Sequence, residues 1–193
     1  GDRFTYQGQV RNNRKNPQFV FNCLVDGHVH DHGALAGLRF YDREDKLGMR
    51  IGATVDMEAD GLRFKLLPQR PTIGYQEFNL NEDNYIFLAR NKHIQANVNL
   101  IAHDKTGVKI YTENQDSTMQ QDLTVSVNRI DLQKITSVIP YLPRLSGLLN
   151  GDYHILQDHD GRFSVASDMA VQKLTYEGSP IGNIRAEMVY MMK

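Results

Sequence analysis

The sequence is nearly without cysteine: Cys23 stands alone among 193 residues. One thiol makes no internal disulfide and no thiolate metal cage, and as a nucleophile it would need a partnered base. Its alternation with Phe19, Phe21 and Val25 reads as a buried structural side chain. Tryptophan is absent, so the Cys, Trp and Tyr-corner signature of an immunoglobulin sandwich is missing. No G-H…W-D pattern marks a propeller blade. Neither charge sign dominates: 22 Lys and Arg against 23 Asp and Glu give a formal charge of -1. No basic field therefore draws the chain to nucleic acid or anionic lipid heads. No stretch approaches the roughly 18 apolar residues of a membrane-spanning helix, and the opening GDRFTYQGQV lacks the apolar centre of a signal peptide. There is no G-x-S-x-G, no glycine-rich phosphate loop and no H-E-x-x-H.

Hydrophobic residues make up 40% of the chain, enough for a folded core, and they recur with period 2. In LGMRIGATVDMEAD, residues Leu47, Met49, Ile51, Ala53, Val55, Met57 and Ala59 share one face and polar residues or glycine take the other. A helix would scatter them; a strand sorts them. Asp60-Gly61 is a hairpin signal, after which Leu62, Phe64 and Leu66 resume the alternation. Ile94, Ala96, Val98 and Leu100, the turn HDKTG, and Val108 and Ile110 repeat the grammar. So do Leu123, Val125 and Val127, then Leu149, Tyr153 and Ile155, then RFSVASDMAVQKLTY, and finally Ile184, Ala186, Met188 and Tyr190. The expectation is an all-β chain of about a dozen strands joined by short turns, and therefore mainly antiparallel.

One segment differs. In IDLQKITSVIPYLPRLSG, Leu132, Ile135, Val138, Ile139 and Leu142 fall at helical spacing, with Asp131 as N-cap and Pro140, Pro143 and Gly147 as stops. This predicts one short amphipathic helix near 132–142, laid against the sheet.

The stretch VDGHVHDHGA places His28, His30 and His32 on alternate positions with Asp31 among them. Strand parity puts them on the even, polar face with Asn22 and Asp26, an exposed strand end. Such a trio can hold added transition metal weakly, but a catalytic centre needs ligands and orienting groups from elsewhere. The H-x-H-x-D-H of metallo-β-lactamase-like hydrolases is one residue longer and sits in an α/β fold. No resident metal or cofactor is expected. DREDK (Asp42 to Lys46) and QDHDGR (with Asp158, His159 and Asp160) read as solvated turns. Asp152 lacks a carboxylate partner for acid catalysis. The chain does not read as an enzyme.

The last third is more specific. Gly147 to Asp152 reads G-x-L-N-G-D, and Leu174 to Gly182 reads L-x-Y-E-x-x-P-I-G, on either side of a strand. Together with the strand, helix and proline-bearing exit before them, they resemble the repeating unit of the AsmA-like superfamily, in its TamB branch. Residues 121–193 carry the likeness most fully. Residues 1–120 form a second β-rich segment that shares the strand grammar, and RPTIGYQEFNLNEDNYIFL there is similar to an interior TamB segment. The resemblance implies a piece of a much longer periplasmic protein anchored at the inner membrane. Its strands would form an elongated, curled sheet (a β-taco) with an apolar concave groove. It implies a role in moving phospholipid between the two membranes, and in assembling or secreting outer-membrane proteins with an Omp85-type partner. It implies no catalytic residues.

An acyl chain of about 16 carbons exposed to water costs on the order of 13 kcal/mol, so a carrier needs an unbroken apolar track. About a dozen strands at ~4.8 Å spacing would extend one for some 50–60 Å. Met49, Ile51, Val55, Met57, Leu62, Phe64, Val98, Leu100, Val125 and Val127 are the expected lining, with methionine suited to an irregular ligand. The same alternation also fits the closed core of a sandwich. That alternative makes the chain a periplasmic module binding protein or carbohydrate, with Tyr41, Tyr75, Tyr85 and Tyr111 as scattered candidates. A metallohydrolase using His28, His30 and His32 is the third reading. Terminal strands with an open edge are expected to associate with another copy.

Overall fold

Alternate side chains of a strand point to opposite faces, so strands paired in register turn local alternation into two continuous surfaces. A computed structural model describes residues 4–11, 20–91, 93–113, 119–139 and 141–192. They form a single sheet of 13 strands. The strands are β1 (Phe4–Arg11), β2 (Asn22–His30), β3 (Gly33–Tyr41), β4 (Leu47–Glu58), β5 (Gly61–Ile73), β6 (Gln76–Leu80), β7 (Tyr85–Ala89), β8 (Ile94–Ala102), β9 (Gly107–Thr112), β10 (Met119–Asp131), β11 (Leu145–Asp158), β12 (Phe163–Tyr176) and β13 (Ser179–Met192). Every paired neighbour is antiparallel, and the order follows the sequence from β1 at one edge to β13 at the other. The turns fall where composition put them, before Gly61, at 103–106 and at 159–162, and a further one lies at Glu177-Gly178. The fold is all-β and antiparallel. Of the residues read as alternating around Cys23, Phe19 lies outside the described residues.

β6 and β7 are two halves of one strand. Both pair with β8, β6 at Phe78 to Leu80 and β7 at Tyr85 to Leu88. Between them Asn81, Glu82, Asp83 and Asn84 leave the ladder, which would orphan backbone groups on both flanks. Two side-chain amides fill the gap. Asn84 Oδ1 accepts from the Leu66 N–H of β5 at 2.8 Å, and its Nδ2 donates to the Asn81 carbonyl at 2.9 Å. Asn81 Oδ1 accepts from the Asn99 N–H of β8 at 2.8 Å, while Nδ2 donates to the Asn97 carbonyl at 3.2 Å.

The device recurs. Past the end of β9, Gln121 of β10 reaches over to β8, where it accepts from the Ile94 N–H at 2.7 Å and donates to the Ile94 carbonyl at 2.8 Å. At the bulges of β10 and β12, Arg129 and Lys173 both take φ 53. Their N–H groups donate to the side chains of Asn150 and Asn183 on the next strand, at 2.8 and 2.9 Å. A bulge leaves one residue unpaired; here an asparagine stands in for the missing backbone.

The helix α1 (Leu132–Thr136) is shorter than the spacing suggested. Asp131 is its N-cap, accepting from the Gln133 N–H at 3.0 Å. It ends at Thr136 because Thr136 Oγ1 donates to the Leu145 carbonyl and Ser137 Oγ turns back to the Lys134 carbonyl. The β-branched residues Val138 and Ile139 add little helical preference beyond it. Pro140, read as a stop, lies outside the described residues. Of the expected apolar face only Val138 is sealed, at 2% exposure, while Ile139 and Leu142 lie open.

This connection shows that the sheet curls. Val138 methyl carbons lie 3.0 Å from where a Cβ on Gly48 would stand, and the Lys134 carbonyl oxygen 2.8 Å from one on Gly74. Lys134 Nζ donates to Gln76 Oε1 at 3.2 Å. The start of β4 lies five strand positions from β10, about 24 Å on a flat sheet. The short helix and two further residues reach only about 15 Å. The strands between must bend toward the helix.

Asn84 is 4% exposed, so its loss would strand the Leu66 amide without water. Asn84→Ala is expected to lower stability by about 2 kcal/mol, measured by urea unfolding, with the exposed Asn128→Ala as a near-neutral comparison.

Candidate functional site

Following the register across the sheet identifies the surface on which the strands agree. From β1 to β8 one row runs Phe4, Val29, Ala34, Val55, Phe64, Ile86, Ala96. From β6 to β13 another runs Leu80, Leu100, Val108, Val127, Gly151, Met169, Ala186. No polar side chain interrupts either row. Met49 pairs with Phe40, Ile51 with Leu38, Met57 with Leu62, and Val98 and Val125 both with Ile110. All the residues expected to line a groove, Met49, Ile51, Val55, Met57, Leu62, Phe64, Val98, Leu100, Val125 and Val127, therefore lie on one face. Phe78, Leu80, Ile86 and Leu88 join them there, unsingled by sequence reasoning because the interruption at 81–84 obscured their parity.

Burial is uneven along this face. Phe78, Leu80, Ala96, Val98, Ala102 and Leu123 are each 5% exposed or less, a packed middle produced by the curl. Outward from it the face opens: Met57 is 56% exposed, Leu88 39%, Met188 46% and Phe4 68%. Val98 thus belongs to the packed middle and Met57 to the open flank.

The other face is polar. Across β8 to β13 it reads Asn99, Lys109, Ser126, Asp152, Asp168, Glu187. Asp152, read in the sequence as lacking a partner, faces Asp168 across the ladder. Arg63 lies 4.9 Å from the ring centres of both Tyr85 and Phe87. Tyr85 and Tyr111 share a row through Asn97, but Tyr75 is committed to Asp42 at the β3–β4 turn and Tyr41 closes β3. The four tyrosines do not converge.

The histidines divide. β2 ends at His30, so His28 and His30 sit on its polar face with ring centres 6.1 Å apart, and His32 belongs to the following turn. The His32 N–H donates to His30 Nδ1 at 3.4 Å. Parity placed three on one strand face; two are there, because the chain reverses at Asp31 and His32. Among the described residues no group of three or more His, Cys, Asp or Glu is placed to hold a metal ion. Cys23 lies on the apolar face opposite Val10 and Phe40. It is half-buried rather than buried, and that burial pushes its thiol up.

DREDK is more than a solvated turn. Asp42 Oδ1 accepts from the Glu44 and Lys46 N–H groups at 2.9 and 3.0 Å, and Oδ2 accepts from the Tyr75 hydroxyl at 2.9 Å. Burial pushes the Asp42 carboxyl up, but those backbone bonds, the hydroxyl and the Lys46 charge outweigh it and hold it below the ordinary range. Burial, then the Asp42 hydrogen bond and negative charge with that of Glu44, push the Tyr75 phenol up to about 12.

The glycines of the G-x-L-N-G-D stretch have a local cause. Gly147 takes φ +134 at the bulge between Ser146 and Leu148, and Gly151 takes φ +147 where a Cβ would overlap the Asp168 carbonyl. Backbone geometry demands both. No family model matches the chain, and no curated protein and no solved structure matches it.

Two tests follow from these environments. Val98→Ala should cost about 1–3 kcal/mol, whereas Met57→Ala should change stability by less than about 0.5 kcal/mol, as read from chemical unfolding. Above pH 10 the unfolded Tyr75 phenol loses its proton and the folded one keeps it, so stability is full below pH 10 and falls toward pH 12. Tyr75→Phe should flatten that alkaline limb and lower neutral stability by about 1 kcal/mol.

Proposed function

We propose that the apolar face receives phospholipid acyl chains, and that the chain is a non-enzymatic segment of an envelope protein passing lipid between two membranes. The observation carrying this reading is the pair of apolar rows, one from β1 to β8 and one from β6 to β13, with no second sheet over their open flanks among the described residues. An apolar strand face ordinarily finds a covering layer. Here the curl supplies one only in the middle, and rows such as Met57, Leu62, Leu88 remain accessible.

Acyl chains fit these flanks because the surface offers hydrocarbon without a pattern of donors or charges, while the opposite face keeps the sheet soluble. The likeness of 121–193 to AsmA-like repeats supports the same reading. On it the segment resides in the periplasm within an inner-membrane-anchored protein, and assists outer-membrane protein assembly beside an Omp85-type partner through the longer chain.

The test expresses the protein in a bacterial envelope and weighs it intact by native mass spectrometry. Wild type should carry phospholipid. Met57→Lys combined with Leu88→Lys, both on the accessible flank, should lose most of it, whereas Lys65→Glu on the polar face should not. A lipid-free wild type, or equal loading in all three, would refute the proposal.

A further inference from the structure

The polar face of β2 to β5 holds a notch of about 220 Å³. Glycine makes it. Gly37 of β3 and Gly52 of β4 stand opposite each other, in a row that runs from Asp26 on β2 to Leu67 on β5. With no side chain at its two central positions, the row lies bare to the backbone. Leu35 walls it on one side, Arg39 and Arg50 on the other, and Pro68 lies at the far end. A Cβ on Gly37 would enter the notch and meet only the Asp26 carboxylate, at an ordinary 3.6 Å. Gly37 has no positive φ, so neither strain nor crowding calls for glycine there.

The charges on the wall are unbalanced. Arg39 and Arg50 are direct cross-strand partners, and like charges so placed repel. One carboxylate serves the pair: Asp26 Oδ1 lies 3.5 Å from Arg39 Nη2. Arg50 is exposed and has no hydrogen bond or ion pair among the described residues. Two cations and one anion leave an excess positive charge beside an open cleft.

We propose that this notch binds a small carboxylate. Its oxygens sit between the guanidinium groups of Arg39 and Arg50, whose forked donors match a carboxylate. Its hydrocarbon body lies over Gly37 and Gly52 toward Leu67 and Pro68. A single negative charge balances the excess, while Asp26 at the head of the row opposes a second and so disfavours phosphate. The notch is a surface cleft that grips such a ligand by its charged end. It lies on the opposite side of the sheet from the apolar rows and does not depend on what they receive.

Titration of the 193-residue chain with butyrate at constant ionic strength tests the site, followed by the arginine Nε–H resonances in NMR. Wild type should show saturable shifts with a Kd on the order of 1 mM, and inorganic phosphate should bind more weakly. Arg50→Gln should weaken butyrate binding by on the order of tenfold. Gly37→Val, which fills the notch and keeps both arginines, should weaken it similarly, whereas Lys109→Gln elsewhere on the polar face should not. Without butyrate, Arg50→Gln should melt no lower than wild type, because it relieves the facing charges. Absence of saturable binding to wild type would overturn the proposal. So would tighter binding of phosphate than of butyrate, or undiminished butyrate affinity in Arg50→Gln or Gly37→Val.

Discussion

Register is the constraint on which the rest depends. With a period of two, a slip of one residue anywhere between β1 and β13 turns an apolar face to water and a polar face inward. A sheet with two packed layers has many side-chain contacts to resist such a slip. This one has few beyond its middle strands, so the backbone ladder itself must be kept intact. That explains the repeated use of side-chain amides. Asn81 and Asn84 span the interruption between β6 and β7, Gln121 continues the ladder past the end of β9, and Asn150 and Asn183 satisfy the bulged Arg129 and Lys173. Each pays for an irregularity locally and leaves the faces on either side in phase.

Curvature is the second consequence. Gly48 and Gly74 admit Val138 and the Lys134 backbone against the ends of β4, β5 and β6, and the packed cluster of Phe78, Val98 and Ala102 sits within that bend. The connection between β10 and β11 thus fixes the middle of the sheet, while the strands toward both edges keep an accessible apolar surface. A molecule built this way has a firm centre and open flanks. That combination suits binding hydrocarbon along its length better than enclosing a small polar ligand.

Parity made most of this legible beforehand. Leu47 through Met57 named a face from sequence alone, and every expected lining residue lies on it. Turns marked by Asp60-Gly61, HDKTG and QDHDGR fell into place because glycine and short polar side chains suit tight reversals. Other features were hidden for physical reasons. The run LNEDN looked like any polar stretch, since nothing local says that its asparagines replace backbone partners on strands 16 or more residues away. The helix was overestimated because Val138 and Ile139 keep helical spacing while preferring extended backbone. His32 followed strand parity on paper but lies in the reversal after His30. Most consequentially, alternation cannot separate Val98, sealed by the curl, from Met57, left open, because burial depends on how distant strands bend together.

The absence of tryptophan allows a direct probe of the account. Val55 and Thr54 are adjacent in β4 yet face opposite ways, Val55 toward Phe64 and Thr54 toward Lys65. A tryptophan placed at either position can be titrated with phospholipid brominated along its acyl chains. The account predicts strong quenching for Val55→Trp and little for Thr54→Trp. Equal quenching at both positions, or none at either, would contradict it.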